Sequence, residues 1–182
     1  MNSSNPDLQT LAAMVRRIHD RQQLGELISR YGMAVDDRDF DALAAMFAGD
    51  GEFRGVCGRD AIMAFYRERT ARYSTTYHYA HTWHFEFESD ECASGVVNAH
   101  AELCIDGRMI HIALRYLDRY VRGPKDWMFQ SRSPLFRYVL PFDELATGAG
   151  QALRVRWPGQ PPQTADIPDT LQTYLDSLRT QG

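Results

Sequence analysis

Residues 75–88 read "TTYHYAHTWHFEFE". Aromatic and β-branched side chains dominate them, and such side chains suit a pleated surface. Three more stretches of the same character follow: "VVNAHAELCI" (96–105), "MIHIALRYLDRYV" (109–121) and "WMFQSRSPLFRYVL" (127–140). The breaks between them, "SDECASG", "DGR" and "RGPKD", are turn-like, and the second is a tight hairpin signal. Four long antiparallel strands are expected. Pro134 cannot donate to a ladder, so it is expected at an edge or a bulge.

Upstream the period changes from two to three or four. Leu24, Leu27, Ile28, Tyr31 and Val35 share one apolar helical face, which continues an earlier pattern of Leu11, Met14, Val15 and Ile18. Gly25, Ser29 and Gly32 form a small-residue stripe beside it, where another backbone can approach. Asp39 is a natural cap for a second, short helix with Phe40, Leu43, Met46 and Phe47 inward, ended by Gly49 and Gly51. "GEFRGV" reads as a short strand. Asp60 is expected to cap a third helix, with Ile62, Phe65 and Tyr66 apolar and Arg67, Glu68 and Arg69 largely solvated.

Three helices followed by four antiparallel strands make an α+β domain over residues 8–140. Its helices pack on one face of a curved, mostly antiparallel sheet, as a cone-shaped half-barrel with a mouth suited to a small molecule. Residues 1–7 are expected to be disordered. Residues 141–182 turn rich in Pro and Gly and then carry a short helical pattern at Leu171, Tyr174, Leu175 and Leu178. This tail would serve as a lid or a subunit contact.

The 182 residues carry a net charge of −4, with 44% hydrophobic and 24% charged residues. No basic run exists, which argues against nucleic acid. No apolar stretch is long enough to span a bilayer, and no secretory leader is visible. Three cysteines, Cys57, Cys92 and Cys104, have no redox or metal spacing. Reduced thiols, each a small buried residue in a cytoplasmic protein, are expected.

The segments "LGELISRYGMAVDDRDFDALAAMFAGDGEF", "GRDAIMAFY", "YHYAHTWHFEFES" and "RYLDRYVRGPKDWMFQSR" resemble the SnoaL-like domain of the nuclear-transport-factor-2-like superfamily. Within it they look most like the branch of scytalone dehydratase, lindane dehydrochlorinase and bile acid 7α-dehydratase. The resemblance implies a cofactor-free enzyme with an aspartate near the end of the first helix, here Asp36, and a histidine at the start of a long strand, here His78. It also implies a tyrosine before the aspartate, Tyr31, and a less secure second histidine, His111. The chain departs from the pattern at Thr82, where many relatives carry asparagine. The superfamily also holds cyclases, isomerases and binding modules, so the fold alone does not choose a function.

A β-elimination needs a base near neutral pKa, and histidine supplies one. A carboxylate beside it would fix the ring tautomer and stabilise the imidazolium. Asp36 and His78 are therefore the expected catalytic pair, with Tyr31 donating to a substrate oxygen. Wheel geometry alone does not separate Asp36 from Asp37; each lies roughly 120–130° from the apolar stripe. Arg132, Ser131, Phe53, His100 and His111 are expected to bind substrate. On a regular strand His78, Thr82, His84 and Glu86 would share one face, and His81, Trp83 and Phe85 the other.

A metal would require His78, His84, His100 and Glu102 to converge, and no compact ligand motif is present, so none is expected. Nor is any other cofactor. The expected function is a cofactor-independent lyase, isomerase or cyclase acting on a small apolar cyclic or polyketide-like substrate. Two alternatives stand beside it: a binding or subunit-assembly module without chemistry, and ketosteroid-isomerase-like proton transfer by an aspartate alone. A homo-oligomer, trimer or dimer, is expected, because one sheet face has no helix to cover it.

Overall fold

The computed structural model describes residues 7–180. The expected disorder of residues 1–6 lies outside the described residues, whereas Asp7 is ordered and caps the first helix through its side chain on Thr10 N–H (2.7 Å). The first helix, α1 (Leu8–Asp36), is continuous. Its N-terminal apolar positions, Leu8, Leu11, Met14, Val15 and Ile18, are exposed, while Leu24, Leu27, Ile28, Tyr31 and Val35 enter the core.

Helix α2 (Phe40–Ala45) is capped as expected by Asp39, which accepts from Ala42 N–H at 2.9 Å. Chain direction then reverses earlier than the glycines suggested. Phe47 already belongs to strand β1 (Phe47–Phe53), which hairpins into β2 (Val56–Cys57). Helix α3 (Arg59–Thr70) is preceded by Gly58 at φ +91°, a left-handed position open to glycine, and Asp60 sits inside its first turn rather than at its cap. The four long strands are β3 (Thr75–Phe87), β4 (Cys92–Ile105), β5 (Arg108–Arg122) and β6 (Trp127–Pro141). One six-stranded sheet results, in the order β2-β1-β6-β5-β4-β3, antiparallel except where β1 runs parallel to β6. This is the mostly antiparallel curved sheet with helices on one face that the sequence implies.

Two irregularities set which side chains point inward. His81 has no partner of its own: Ala80 pairs with Ala99 and Thr82 with Asn98, so His81 is a bulge. The bulge inverts the alternation beyond it. His78 therefore shares the concave face with Phe85, which is buried, and with Trp83, whose ring lies 3.5 Å from where a side chain on Gly25 would begin. Thr82, His84 and Glu86 face the other side, so the regular-strand expectation is corrected.

Pro134 marks the second irregularity. β6 is an interior strand, but its pairing with β1 stops at Arg132. Beyond that point the tail takes over the same edge: Asp166 accepts from Phe136 N–H (2.8 Å), and Val139 N–H donates to Arg154 (2.9 Å). Pro134 occupies the gap, where no N–H is wanted.

After β6 come a 3-10 turn (Phe142–Glu144), α4 (Leu145–Gly148), an irregular stretch that buries Val155, Ala165 and Ile167, and α5 (Gln172–Arg179). Cys57 is exposed and Cys92 and Cys104 are half-buried, so none of the thiols is a core residue as expected. Among the described residues, no helix is long and apolar enough to cross a membrane.

Candidate active site

β3 is an edge strand, so some of its backbone N–H groups have no sheet partner. The last residue of α1 answers one of them. Asp36 Oδ2 accepts from the His78 backbone N–H at 2.8 Å, and Asp36 Oδ1 lies 2.6 Å from His78 Nδ1. One carboxylate thus holds both the main chain and the ring of His78. Arg38, at φ +60°, folds back to fasten this joint. Its guanidinium donates to the Val35 and Asp36 carbonyls, to Thr76 Oγ1 (2.6 Å) and to the Tyr73 carbonyl. Gly32 lets the two elements meet, since a Cβ there would stand 3.2 Å from the His78 carbonyl. Asp37 is exposed, so structure separates the two acids that wheel geometry could not.

Tyr31 is buried beneath this pair, its ring edge-on to His78 at 6.4 Å, and its hydroxyl shares a 2.7 Å hydrogen bond with Tyr66. Burial pushes both hydroxyls well above the ordinary tyrosine pKa, so both stay protonated and one donates to the other.

Arg132 lies across from them, only 1% exposed. Its guanidinium sits 3.9 Å from the Tyr116 ring, 4.1 Å from the Tyr31 ring and 4.5 Å from the Phe129 ring. Asp118 is its counter-ion. Arg132 Nη2 donates to Asp118 Oδ2 at 3.1 Å, and Tyr120 Oη donates to the same oxygen. The Nε–Oδ1 approach is also 3.1 Å but poorly aligned, so both atoms lack a true hydrogen bond, as does Arg132 Nη1. Burial raises the Asp118 pKa against the pull of Arg132. Burial also opposes the charge on Arg132, but Asp118 together with Tyr31, Tyr116 and Tyr120 more than offsets it.

Two cavities meet at these residues. A cleft of about 350 Å³ opens between α1 and β3, with Asp36, His78, His81, Tyr116 and Arg132 in its wall. A smaller apolar chamber of about 90 Å³ occupies the cone, walled by Phe53, Phe65, Tyr66, Phe136 and Trp157. Tyr31, His78 and Tyr116 belong to both.

Of the expected site residues, Asp36, His78, Tyr31, Arg132 and Phe53 are therefore gathered on the concave side. The others are not. His100 and His111 lie on the outer face, stacked at 5.0 Å, with His81 Nε2 2.5 Å from His100 Nδ1 and the Tyr138 hydroxyl 3.1 Å from His111 Nδ1. Ser131 also lies outside, in a shallow groove with His84, Leu117 and Ser133. His78 is thus parted by the sheet from His84, His100 and Glu102, and the four donors do not converge.

The model of the SnoaL-like domain matches residues 16–133. This chain belongs to the SnoaL-like family. Solved structures with this fold include a hexachlorocyclohexane dehydrochlorinase, LinA-type3, from Novosphingobium barchaimii, at 22% identity and TM-score 0.65, covering 70% of this chain and 93% of that one. A protein described as a putative scytalone dehydratase from Novosphingobium aromaticivorans has 17% identity and TM-score 0.67, covering 81% and 99%. A nuclear-transport-factor-2-like protein from the same organism has 28% identity and TM-score 0.59, covering 72% and 90%. No curated protein matches the chain.

Sequence reading missed Tyr66, Tyr116 and Asp118 of the SnoaL-like domain and Trp157 of the tail. Asp118 and Tyr116 carried a faint signal. They alternate with Leu114 and Tyr120 on β5, so an acid stood among residues expected to be apolar. Trp157 carried none, because the tail has no periodicity.

Proposed function

We propose that the protein is a cofactor-independent lyase that performs a β-elimination on a small, largely apolar cyclic substrate. The observation that carries this reading is the two-point hold of Asp36 on His78, at the junction of two cavities. Bound at Nδ1 by the carboxylate, the ring keeps Nε2 as its accepting atom. His78 takes a proton from substrate carbon; the C–H electrons form the new double bond, and the leaving group departs with its own electron pair. Asp36 stabilises the imidazolium so formed. When the leaving group is hydroxide, the same imidazolium returns the proton and water is released. Tyr31 donates to a substrate oxygen, and the buried guanidinium of Arg132 stabilises negative charge as it develops.

A module that only assembles subunits would leave the cone filled, whereas here a cavity reaches His78. We include a homo-oligomer, trimer or dimer, in the reading, because Tyr77, Tyr79 and Leu117 are exposed on the outer sheet face. Light scattering on the purified chain tests that part.

The catalytic part is tested with cyclic β-hydroxy ketones and hexachlorocyclohexane, following water loss by absorbance and chloride by electrode. His78→Ala and Asp36→Asn should each lower turnover by at least about a hundredfold with the fold intact. Near-wild-type rates in both variants would sink the proposal.

A further inference from the structure

The mouth of the cone carries positive charge that no ion pair among the described residues neutralises. Arg54, Arg69 and Arg72 meet there beside Tyr73, Trp157 and Gln160, in a niche of about 90 Å³ next to the apolar chamber. Arg54 and Arg69 line both spaces. Among the described residues, none of the three forms an ion pair or a side-chain hydrogen bond. Asp166 is the acid whose charge reaches Arg54, but one of its oxygens is held by Phe136 N–H.

The two guanidinium groups are not loose. Arg54 lies 5.3 Å from the Phe136 ring, and Arg69 lies 5.7 Å from the Trp157 ring and 5.9 Å from the Phe65 ring. Aromatic walls place them without consuming their donors. Burial and the neighbouring Arg69 cation both push the Arg54 pKa down. Two like charges facing one space without a counter-ion repel, and a bound anion relieves that repulsion.

We propose that the ligand of the cone is an apolar ring compound bearing a carboxylate, with the ring among Phe53, Phe65, Tyr66 and Phe136 and the carboxylate between Arg54 and Arg69. This names the substrate class of the site proposed above and rests on the cone being its ligand chamber. The planar guanidinium fork matches a carboxylate in two-point contact, which makes the acid distinguishable from a neutral ring of the same shape.

Calorimetric titration of the full chain at low salt tests this with 2-naphthoate, 2-naphthamide and 2-naphthyl phosphate. Naphthoate should bind at least about tenfold tighter than the amide. Arg54→Gln/Arg69→Gln should erase that preference and leave amide binding within about twofold. Arg69→Gln alone, an exchange that costs a helix little, should lose part of the preference and keeps the test readable if the double variant folds poorly. His78→Ala should keep the preference, so binding is read independently of catalysis. Equal affinity for acid and amide, no binding of either, a preference that survives in the double variant, or tighter binding of the phosphate with the same arginine dependence would each overturn the proposal.

Discussion

The two faces of the long sheet use similar residues to opposite ends. On the concave face, Tyr31, Tyr116, Asp118 and Arg132 are buried among aromatics below His78, and carboxylates hold both His78 and Arg132. On the outer face, His100, His111 and Tyr138 also touch one another, and His81 reaches His100 from the bulge at the sheet edge, but water reaches them. The difference teaches that clustering of titratable groups is not by itself a site. What sets the inner group apart is a carboxylate partner, burial and an adjoining cavity.

The largest test of that contrast is Asp118→Asn, which leaves Arg132 charged, buried and unpaired. It should cost about 3–5 kcal/mol of stability, read by chemical denaturation. A loss below about 1 kcal/mol would mean that the interior is wetter than its 1% exposure at Arg132 suggests.

Next comes a pair of histidines, one from each face. His78→Ala should lower turnover by at least about a hundredfold, while His100→Ala should stay within about twofold of wild type. Equal losses would erase the distinction between the faces.

A smaller effect is expected at Gly32→Ala. The added methyl meets the His78 carbonyl at 3.2 Å and its Cβ at 3.4 Å, which pries β3 from α1. Alanine's better helix propensity returns up to about 1 kcal/mol. Stability should therefore change little while turnover falls, a split that a merely structural glycine would not give.

The smallest effect concerns pH. Burial lowers the pKa of His100 and His111. Around His100, the charges of His81, His111 and Arg137 add to this and Glu102 opposes it; at His111, Glu102 opposes it. Unfolded rings titrate near about 6.5. As pH falls through that value the unfolded chain takes up more protons than the native one, so stability decreases. The loss should be under about 1 kcal/mol, because both rings are only half-buried and water still screens them. His100→Gln/His111→Gln should flatten the acid side of the stability–pH curve.

Much of the fold was legible because period and turn chemistry agree along most of the chain. Strands β3 to β6 announced themselves by composition, and Asp39 by its place before an apolar helical run. Three features escaped for physical reasons. A bulge leaves no mark in composition, so the parity beyond His81 was read inverted. Arg132 looks like any surface arginine until its partner directly across the ladder on β5, Asp118, is seen to be buried with it. The edge of β6 is shared between β1 and the tail, and only three-dimensional pairing shows why Pro134 fits there. Asp36 and His78 were placed through family resemblance together with the small-residue stripe, and Gly32 of that stripe is where β3 comes nearest to α1.

The hydrogen bond from the His78 main chain to Asp36 has a use beyond architecture. An amide proton donated to a carboxylate changes its electronic shielding when that carboxylate gains a proton. The His78 amide resonance is therefore a built-in indicator of the charge on Asp36. A nitrogen-15 titration of the protein alone would read the ionisation of the pair before any substrate is known.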